Sequence, residues 1–409
     1  MLFDPARHEP LQRLPWDEGA ALRMIERIAR DAEDRFSPQS HWPRHPLDDE
    51  RGTREPEFQM YCGAGGVLWA LHHLESAGAV VLRRSYRDYL ARLVPLNRAR
   101  LAADGSGDAH AASYLIGDVS LLMLAYGLSP DTDTAARIEA LIAGNLDHPA
   151  RELMLGSPGT MLAALFMHQH TGEPRWAELY VRTARKLWSQ LLWSPEHQCR
   201  YWTQEFAGYR FTMLDAVHGF VATAVPLILG RALLDADEWG AWQQCIVATV
   251  RNTAERDGSL ANWRAYLYPL AGDTRPQKVL TQFCHGAPGF VICLADLPTG
   301  ELDDLLVAGG ETTWAAGPLA KGSNLCHGTG GNGYAFLKLF ERTGDEQWLD
   351  RARAFAMHGI AQTTAHADHY GQMRYSLWTG DPGFACFLRD CIRGAGSFPT
   401  LQTFYPPAP

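Results

Sequence analysis

The sequence predicts an all-α protein assembled from seven repeated two-helix units, and three observations carry that expectation. Apolar residues recur at three- and four-residue spacing through most of the chain, with few β-branched alternations. A glycine-rich turn leading into an apolar run recurs along the 409 residues, with room for two helices per unit. The 46% hydrophobic and 11% aromatic content can fill a sizeable core.

Taken in order, helical periodicity covers 18–35, 66–77, 133–146, 159–170, 174–192, 219–234, 238–256, 332–342 and 346–362. Residues 36–58, rich in Pro, His, Arg and Asp, read as an extended surface segment ahead of the first unit. From His197 to Asp215, the aromatics Tyr201, Trp202, Tyr209 and Phe211 mark a short extended excursion. The turns stand at Gly63-Ala64-Gly65-Gly66, Gly156-Ser157-Pro158-Gly159, Gly286-Ala287-Pro288-Gly289, Gly328-Thr329-Gly330-Gly331 and Gly380-Asp381-Pro382-Gly383. A partial copy is His218-Gly219-Phe220, and a poorer one lies near Gly117. Units that cannot bury a face alone must stack. Closing the stack into a ring puts the glycine turns on one rim, with the motif residues facing a central cavity. The expected layout is an N-terminal helix and extended segment packed on the barrel (1–58), the barrel itself (59–395) and a C-terminal tail (396–409). Pro406-Pro407-Ala408-Pro409 is expected to fray.

Composition excludes several classes. A net charge of −9 argues against a nucleic-acid partner held by counterion release. No run approaches eighteen consecutive apolar residues, so no membrane insertion is expected. The start, Met1-Leu2-Phe3-Asp4-Pro5, lacks the pattern of a signal peptide. The 8 cysteines show no small-scaffold spacing, which fits a reducing cytoplasm.

Two copies of Cys-His-Gly stand out, at Cys284-His285-Gly286 and Cys326-His327-Gly328. Cys and His are ligand types that Zn²⁺ prefers, and three of them with one open position describe a catalytic site. Each pair leads into a glycine turn and an apolar run, so each sits where a loop enters a helix. Cys62, Cys199, Cys245, Cys293, Cys386 and Cys391 read instead as small buried hydrophobes.

The blocks Gln282-Phe283-Cys284-His285-Gly286-Ala287-Pro288-Gly289 and Lys321-Gly322-Ser323-Asn324-Leu325-Cys326-His327-Gly328-Thr329-Gly330-Gly331-Asn332-Gly333-Tyr334-Ala335-Phe336-Leu337 carry a family resemblance. With Tyr375-Ser376-Leu377-Trp378-Thr379-Gly380-Asp381-Pro382-Gly383, and with Trp202-Thr203-Gln204 followed by Val217-His218-Gly219-Phe220, they make the chain resemble the lanthionine synthetase C-like (LanC-like) family. The resemblance runs from about residue 60 to 390 and is closest to the stand-alone members. It implies a seven-hairpin (α/α)7 toroid with one zinc ion at the barrel mouth. By the same resemblance the ligands are Cys284, Cys326 and His327, with water or a substrate thiol as the fourth. His285 is then assigned to lining the site, with turn stabilisation as its bland alternative. His218 resembles the family's essential histidine, and Glu152, four residues ahead of a glycine turn, stands where many relatives carry an acid that could orient it. Lys321 is a candidate for meeting an anionic substrate group, against an exposed structural lysine.

Three departures from the family pattern are visible. Ala222 stands where a second glycine usually follows the histidine, which questions local helix packing. Phe283 replaces a frequent Trp, and Asn324 a frequent Gly. The activity implied is zinc-dependent Michael-type addition of a thiol to dehydroalanine or dehydrobutyrine in a dehydrated peptide or protein, with glutathione or a peptide cysteine as the thiol. Rivals are a lanthipeptide cyclase making intramolecular thioether rings, a zinc thiol prenyltransferase, and a non-catalytic peptide- or glutathione-binding module. The prenyltransferase reading calls for an Asp, Cys, His ligand set and a basic diphosphate pocket, and the sequence shows no clear Lys/Arg cluster.

Overall fold

The computed structural model describes residues 2–49, 52, 55–105, 107–270, 272 and 277–406. Fourteen α-helices alternate along these residues between an outer and an inner ring. In chain order they pair as α1 (Glu18–Arg35) and α2 (Ala64–Ser76), α3 (Arg87–Ala103) and α4 (Val119–Leu128), and α5 (Thr132–Gly144) and α6 (Ser157–Thr171). Then come α7 (Pro174–Ser189) and α8 (Phe220–Leu229), α9 (Ala236–Thr253) and α10 (Ala287–Leu294), α11 (Asp303–Ala316) and α12 (Thr329–Thr343), and α13 (Glu346–Tyr370) and α14 (Asp381–Arg393). The even-numbered helices touch in sequence from α2 round to α14, and α14 packs back on α2. The ring is closed. Its outer seam is sealed by α1 lying against α13 and α14. This is the all-α (α/α)7 toroid that the sequence predicts.

Outer helices are amphipathic because only one face meets the inner ring. In α1 the buried apolar positions are Ala21, Met24, Ile25, Ile28, Ala29 and Ala32, and Asp17 caps the helix by accepting the Ala20 amide at 3.0 Å. Inner helices are buried nearly all round: every residue from Ser157 to Met167 of α6 and from Phe220 to Ile228 of α8 is buried. The faces turned to the axis are covered by the C-terminal segment. Phe398 stacks on Phe283 at 4.2 Å, the Tyr114 hydroxyl donates to Thr400 O at 2.7 Å, and Trp69 Nε1 donates to Phe404 O at 2.9 Å. Residues 398–405 thus plug the barrel beneath the glycine rim. Residues 407–409, where fraying is expected, lie outside the described residues, as do residues 50, 51, 53 and 54 of the extended 36–58 segment.

Among the described residues, three two-stranded antiparallel hairpins decorate the ring. They are β1 (Leu192–Ser194) with β2 (Cys199–Tyr201), β3 (Gln204–Phe206) with β4 (Tyr209–Phe211), and β5 (Glu255–Asp257) with β6 (Leu260–Asn262). The second sits in the extended excursion expected between 197 and 215.

Candidate metal centre and its histidine pairs

Aligning the seven turns on their helix-starting glycines, Gly63, Gly117, Gly156, Gly219, Gly286, Gly328 and Gly380, brings out a common grammar. Two residues ahead stand Tyr61, Leu115, Met154, Val217, Cys284, Cys326 and Trp378. Their backbones form a belt. The amide of Cys284 donates to Cys326 O (3.0 Å), Cys326 to Trp378 O (2.8 Å), Trp378 to Tyr61 O (3.1 Å), Tyr61 to Leu115 O (3.0 Å) and Leu115 to Met154 O (3.3 Å). Among the described residues the belt is interrupted only at Val217. There the amides of Met154 and Val217 donate to carboxylates instead, to Glu152 Oε2 at 2.8 Å and Asp215 Oδ1 at 3.4 Å.

Behind six of the turns the helix begins one residue after the glycine, and after Gly117 it begins two residues on, at Val119. At Gly331 an added Cβ would lie 1.8 Å from Leu325 O, which explains a glycine there. Ala222, the residue at the same place after Gly219, is accommodated: α8 still starts at Phe220, and the Ala222 amide donates to Asp215 O at 3.3 Å. The doubt raised by that departure is removed.

The belt gathers the first three candidates. The Sγ atoms of Cys284 and Cys326 and a ring nitrogen of His327 all lie within 4.8 Å of one another, with both sulfurs buried. His285 does not join them. The Asn324 side chain accepts the His327 amide at 3.0 Å, so the residue that departs from the family's glycine braces a ligand. Two thiols and an imidazole converging at this range are the donor set of a tetrahedral site with one vacant position. The hydrogen bond with Cys326, then burial, raises the pKa of Cys284, whereas the bond from Cys284, helped against burial by His327 and Tyr61, holds that of Cys326 well below the ordinary thiol value. The other six cysteines are free thiols, buried except Cys62, which is half-buried.

His218 and His285 occupy equivalent places, each one residue ahead of its glycine. Each is held by the acidic residue four ahead of the preceding turn's glycine. Glu152 Oε2 accepts His218 Nδ1 at 2.8 Å, and Asp215 Oδ2 accepts His285 Nδ1 at 2.7 Å. Both carboxylates are fully buried. Glu152 also accepts the Leu155 amide (2.6 Å), and Asp215 the His218 amide (3.0 Å). Asp215 therefore braces both histidines, one through its backbone and one through its ring. A carboxylate can only accept, so Nδ1 carries the proton in each pair. Burial works against a charged His218, but the charge and hydrogen bond of Glu152, with Asp215 and Cys326 adding, raise its pKa to about 9. Burial opposes the charge on His285 too, and Asp215 overcomes it, so its pKa is also raised. Phe206 of β3 stacks over His218 at 5.4 Å.

A cavity of about 770 Å³ opens beside the cluster, lined among others by Tyr61, Cys62, Lys321, His327 and Arg374. Lys321 is exposed at its edge. Arg374 is tied to Asp48 by two hydrogen bonds.

A profile of the lanthionine synthetase C-like protein family matches residues 11–401. The chain belongs to the lanthionine synthetase C-like family. Among its relatives, glutathione S-transferase LANCL1 from Danio rerio is 35% identical over 140 residues, covering 33% of this chain and 34% of that protein. LanC-like protein GCL1 from Arabidopsis thaliana is 27% identical over 266 residues, covering 61% of this chain and 57% of that protein. The matches thus span about a third and somewhat over half of the curated relatives' length. The solved structure of nisin cyclase superposes with a TM-score of 0.59 at 12% identity, over 90% of this chain and 93% of that one, and shares its fold. Within this LanC-like chain no described helix is long and apolar enough to cross a membrane.

Asp215, Tyr61 and Gln282 were not picked out by sequence reasoning. For Asp215 a signal existed: it stands four residues ahead of Gly219, as Glu152 does ahead of Gly156. Tyr61 and Gln282 touch the two sulfurs, and nothing local in the sequence announces such a contact.

Proposed function

We propose that this protein adds a thiol across the double bond of dehydroalanine or dehydrobutyrine residues in peptides or proteins, with glutathione as the thiol and zinc as the metal. One observation carries the reading: a converging Cys–Cys–His cluster lies next to a histidine whose ring is hydrogen-bonded to a buried carboxylate, which favours its charged form. Cys284, Cys326 and His327 would hold Zn²⁺, whose two thiolates and imidazole match its preferred ligands. Bound there, zinc would favour ionisation of an incoming thiol while leaving its sulfur nucleophilic.

The remaining work falls to the chain. As the C–S bond forms at the β-carbon, the alkene's electrons move to an enolate oxygen. His218 supplies positive charge to that oxygen and then a proton to the α-carbon, through the ring nitrogen not bonded to Glu152. Glu152 fixes the ring and its charge. Lys321, exposed at the cavity's edge, supplies a cation for a carboxylate of a small peptide thiol.

Incubating the protein with a dehydroalanine peptide, with and without glutathione, tests this by mass. An added glutathione mass that requires zinc supports it. Loss of a peptide's own thiol at unchanged mass would point to ring closure, and no change in either arm would end the enzymatic reading.

A further inference from the structure

Each of the two cysteine ligands carries one further hydrogen bond that the proposed chemistry does not use. The Tyr61 hydroxyl donates to Cys326 Sγ at 2.9 Å. Gln282 Nε2 donates to Cys284 Sγ, also at 2.9 Å. Neither donor is loosely placed. Tyr61 belongs to the backbone belt through both its amide and its carbonyl, and its ring packs on Trp378 at 5.6 Å. Gln282 is buried, and its backbone exchanges hydrogen bonds with His285 at 3.0 and 2.9 Å.

The Gln282 side chain is also oriented from the far end of the chain. Arg7 Nη2 donates to Gln282 Oε1 at 2.9 Å, which turns the amide's NH₂ towards the sulfur. Arg7 is held in turn: its carbonyl accepts the Ala320 amide at 3.0 Å, and the neighbouring Glu9 amide donates to Pro318 O at 2.9 Å. The Glu9 carboxylate is gripped by His358 at 2.6 Å and Gln362 at 2.8 Å. The N-terminal arm thus reaches the centre through a relay of two hydrogen bonds.

A site that handles an electron-poor alkene has a selectivity problem within itself. Three sulfurs would meet there, and only the substrate's is meant to attack. Any thiolate can add to such a carbon, and a ligand that did so would be consumed. A hydrogen bond to a thiolate draws on the lone pair that attack requires, and outer-sphere donors tune metal-bound sulfur in this way.

We propose that Tyr61 and Gln282, the latter locked by Arg7, shield the two cysteine ligands from alkylation, leaving the incoming thiol as the sulfur that reacts. The inference rests on the thiol-addition reading above. The reaction held off would join a ligand sulfur to the alkene's β-carbon, breaking the π bond and placing a proton from water on the α-carbon. The metal site would be lost with it.

Iodoacetamide tests the shield without any turnover, because a thiolate simply displaces iodide from it to form the C–S bond. Zinc-loaded parent protein, Tyr61→Phe, Gln282→Leu and Arg7→Ala are checked for metal content, treated with the reagent, and mapped by peptide mass at Cys284 and Cys326. Chelated parent protein gives the unprotected rate. Tyr61→Phe is expected to speed labelling of Cys326 roughly tenfold, the change expected for one lost hydrogen bond to a charged group, and to leave Cys284 at its parental rate. Gln282→Leu should do the reverse, and Arg7→Ala should follow it more weakly. Equal rates in all four proteins would overturn the proposal. So would equal acceleration of both cysteines in Tyr61→Phe, which would indicate general loosening. If Gln282→Leu fails to hold zinc, Tyr61→Phe, which removes one oxygen and keeps the ring, decides alone. A parent that adds no thiol to dehydroalanine yet shows this site-selective pattern would sink the function and leave the shield standing.

Discussion

The rim has two kinds of turn, and they do different work. The turns bearing Cys284 and Cys326 lie in an unbroken arc of backbone hydrogen bonds that runs on to Met154. The turn bearing His218 sits in the gap, where Glu152 and Asp215 occupy the amides that would otherwise continue the belt. It is anchored from outside instead: the buried Gln204 side chain accepts the Met213 amide at 2.7 Å, and the Leu214 amide donates to Ala265 O at 2.8 Å. Ligands need fixed mutual positions, which a rigid belt provides. A proton-transfer group needs a tuned charge, which buried carboxylates provide. Breaking the belt for one turn lets the fold place those carboxylates.

The largest effects should come from the belted arc. Cys326→Ala removes a ligand and is expected to abolish both bound zinc and turnover, read by metal analysis and by the dehydroalanine assay. Gly331→Ala touches no ligand, yet its Cβ would meet Leu325 O at 1.8 Å, one residue from Cys326. It should cost roughly 2–4 kcal/mol in denaturant unfolding and weaken zinc retention against a chelator. The turn in the gap should behave oppositely. His218→Ala is expected to keep zinc and lose about 10²- to 10⁴-fold in turnover, the range for a lost general acid or base. Zinc loss in that variant would abolish the division between the two arcs.

Glu152→Gln sharpens the comparison by pH. With Glu152 in place the His218 pKa is raised to about 9, so its charged form persists through neutrality and is lost as pH rises through that value. The same shift contributes stability that is fully present below the ordinary histidine value near 6.5 and lost as pH rises towards 9. In the amide variant the leading influence left is burial, which lowers the pKa, although Asp215 and Cys326 still raise it. The alkaline limb of the turnover profile should therefore move down, with roughly 10- to 100-fold lower turnover at neutral pH. An unmoved limb would mean that another group sets it.

Helices with one apolar face were legible in the sequence, among them α1, α7 and α13, because their periodicity survives to the surface. Helices α4 and α10 fall outside the periodic ranges: both are short and apolar on nearly every side, which leaves little period to read, although the equally buried α6 and α8 were found. Pro95 inside α3 and the pair Gly309-Gly310 inside α11 argued locally against helices that the ring supplies. At the site, the doubled Cys-His-Gly motif announced the sulfur ligands. Asp215 was legible from its place four residues ahead of Gly219, the place Glu152 holds ahead of Gly156, whereas Arg7 was hidden because its partner lies 275 residues away.

The smallest expected effect concerns Ala222, and it probes the gap directly. The belted turns of Cys284 and Cys326 carry glycine at this place, Gly289 and Gly331, where an added Cβ would come within 2.0 and 1.8 Å of a carbonyl oxygen. At Ala222 a methyl is already present and fully buried. Ala222→Gly deletes that methyl and loosens the first turn of α8, a cost of about 1 kcal/mol. Zinc content should be unchanged, since no belt bond passes through Val217. The informative reading is the pH profile. A slackened α8 start lets the His218 turn shift relative to Glu152, so the alkaline limb should move slightly below 9 while metal binding stays put. A fall in zinc affinity instead would show that the gap transmits strain to the ligands as the belted arc does.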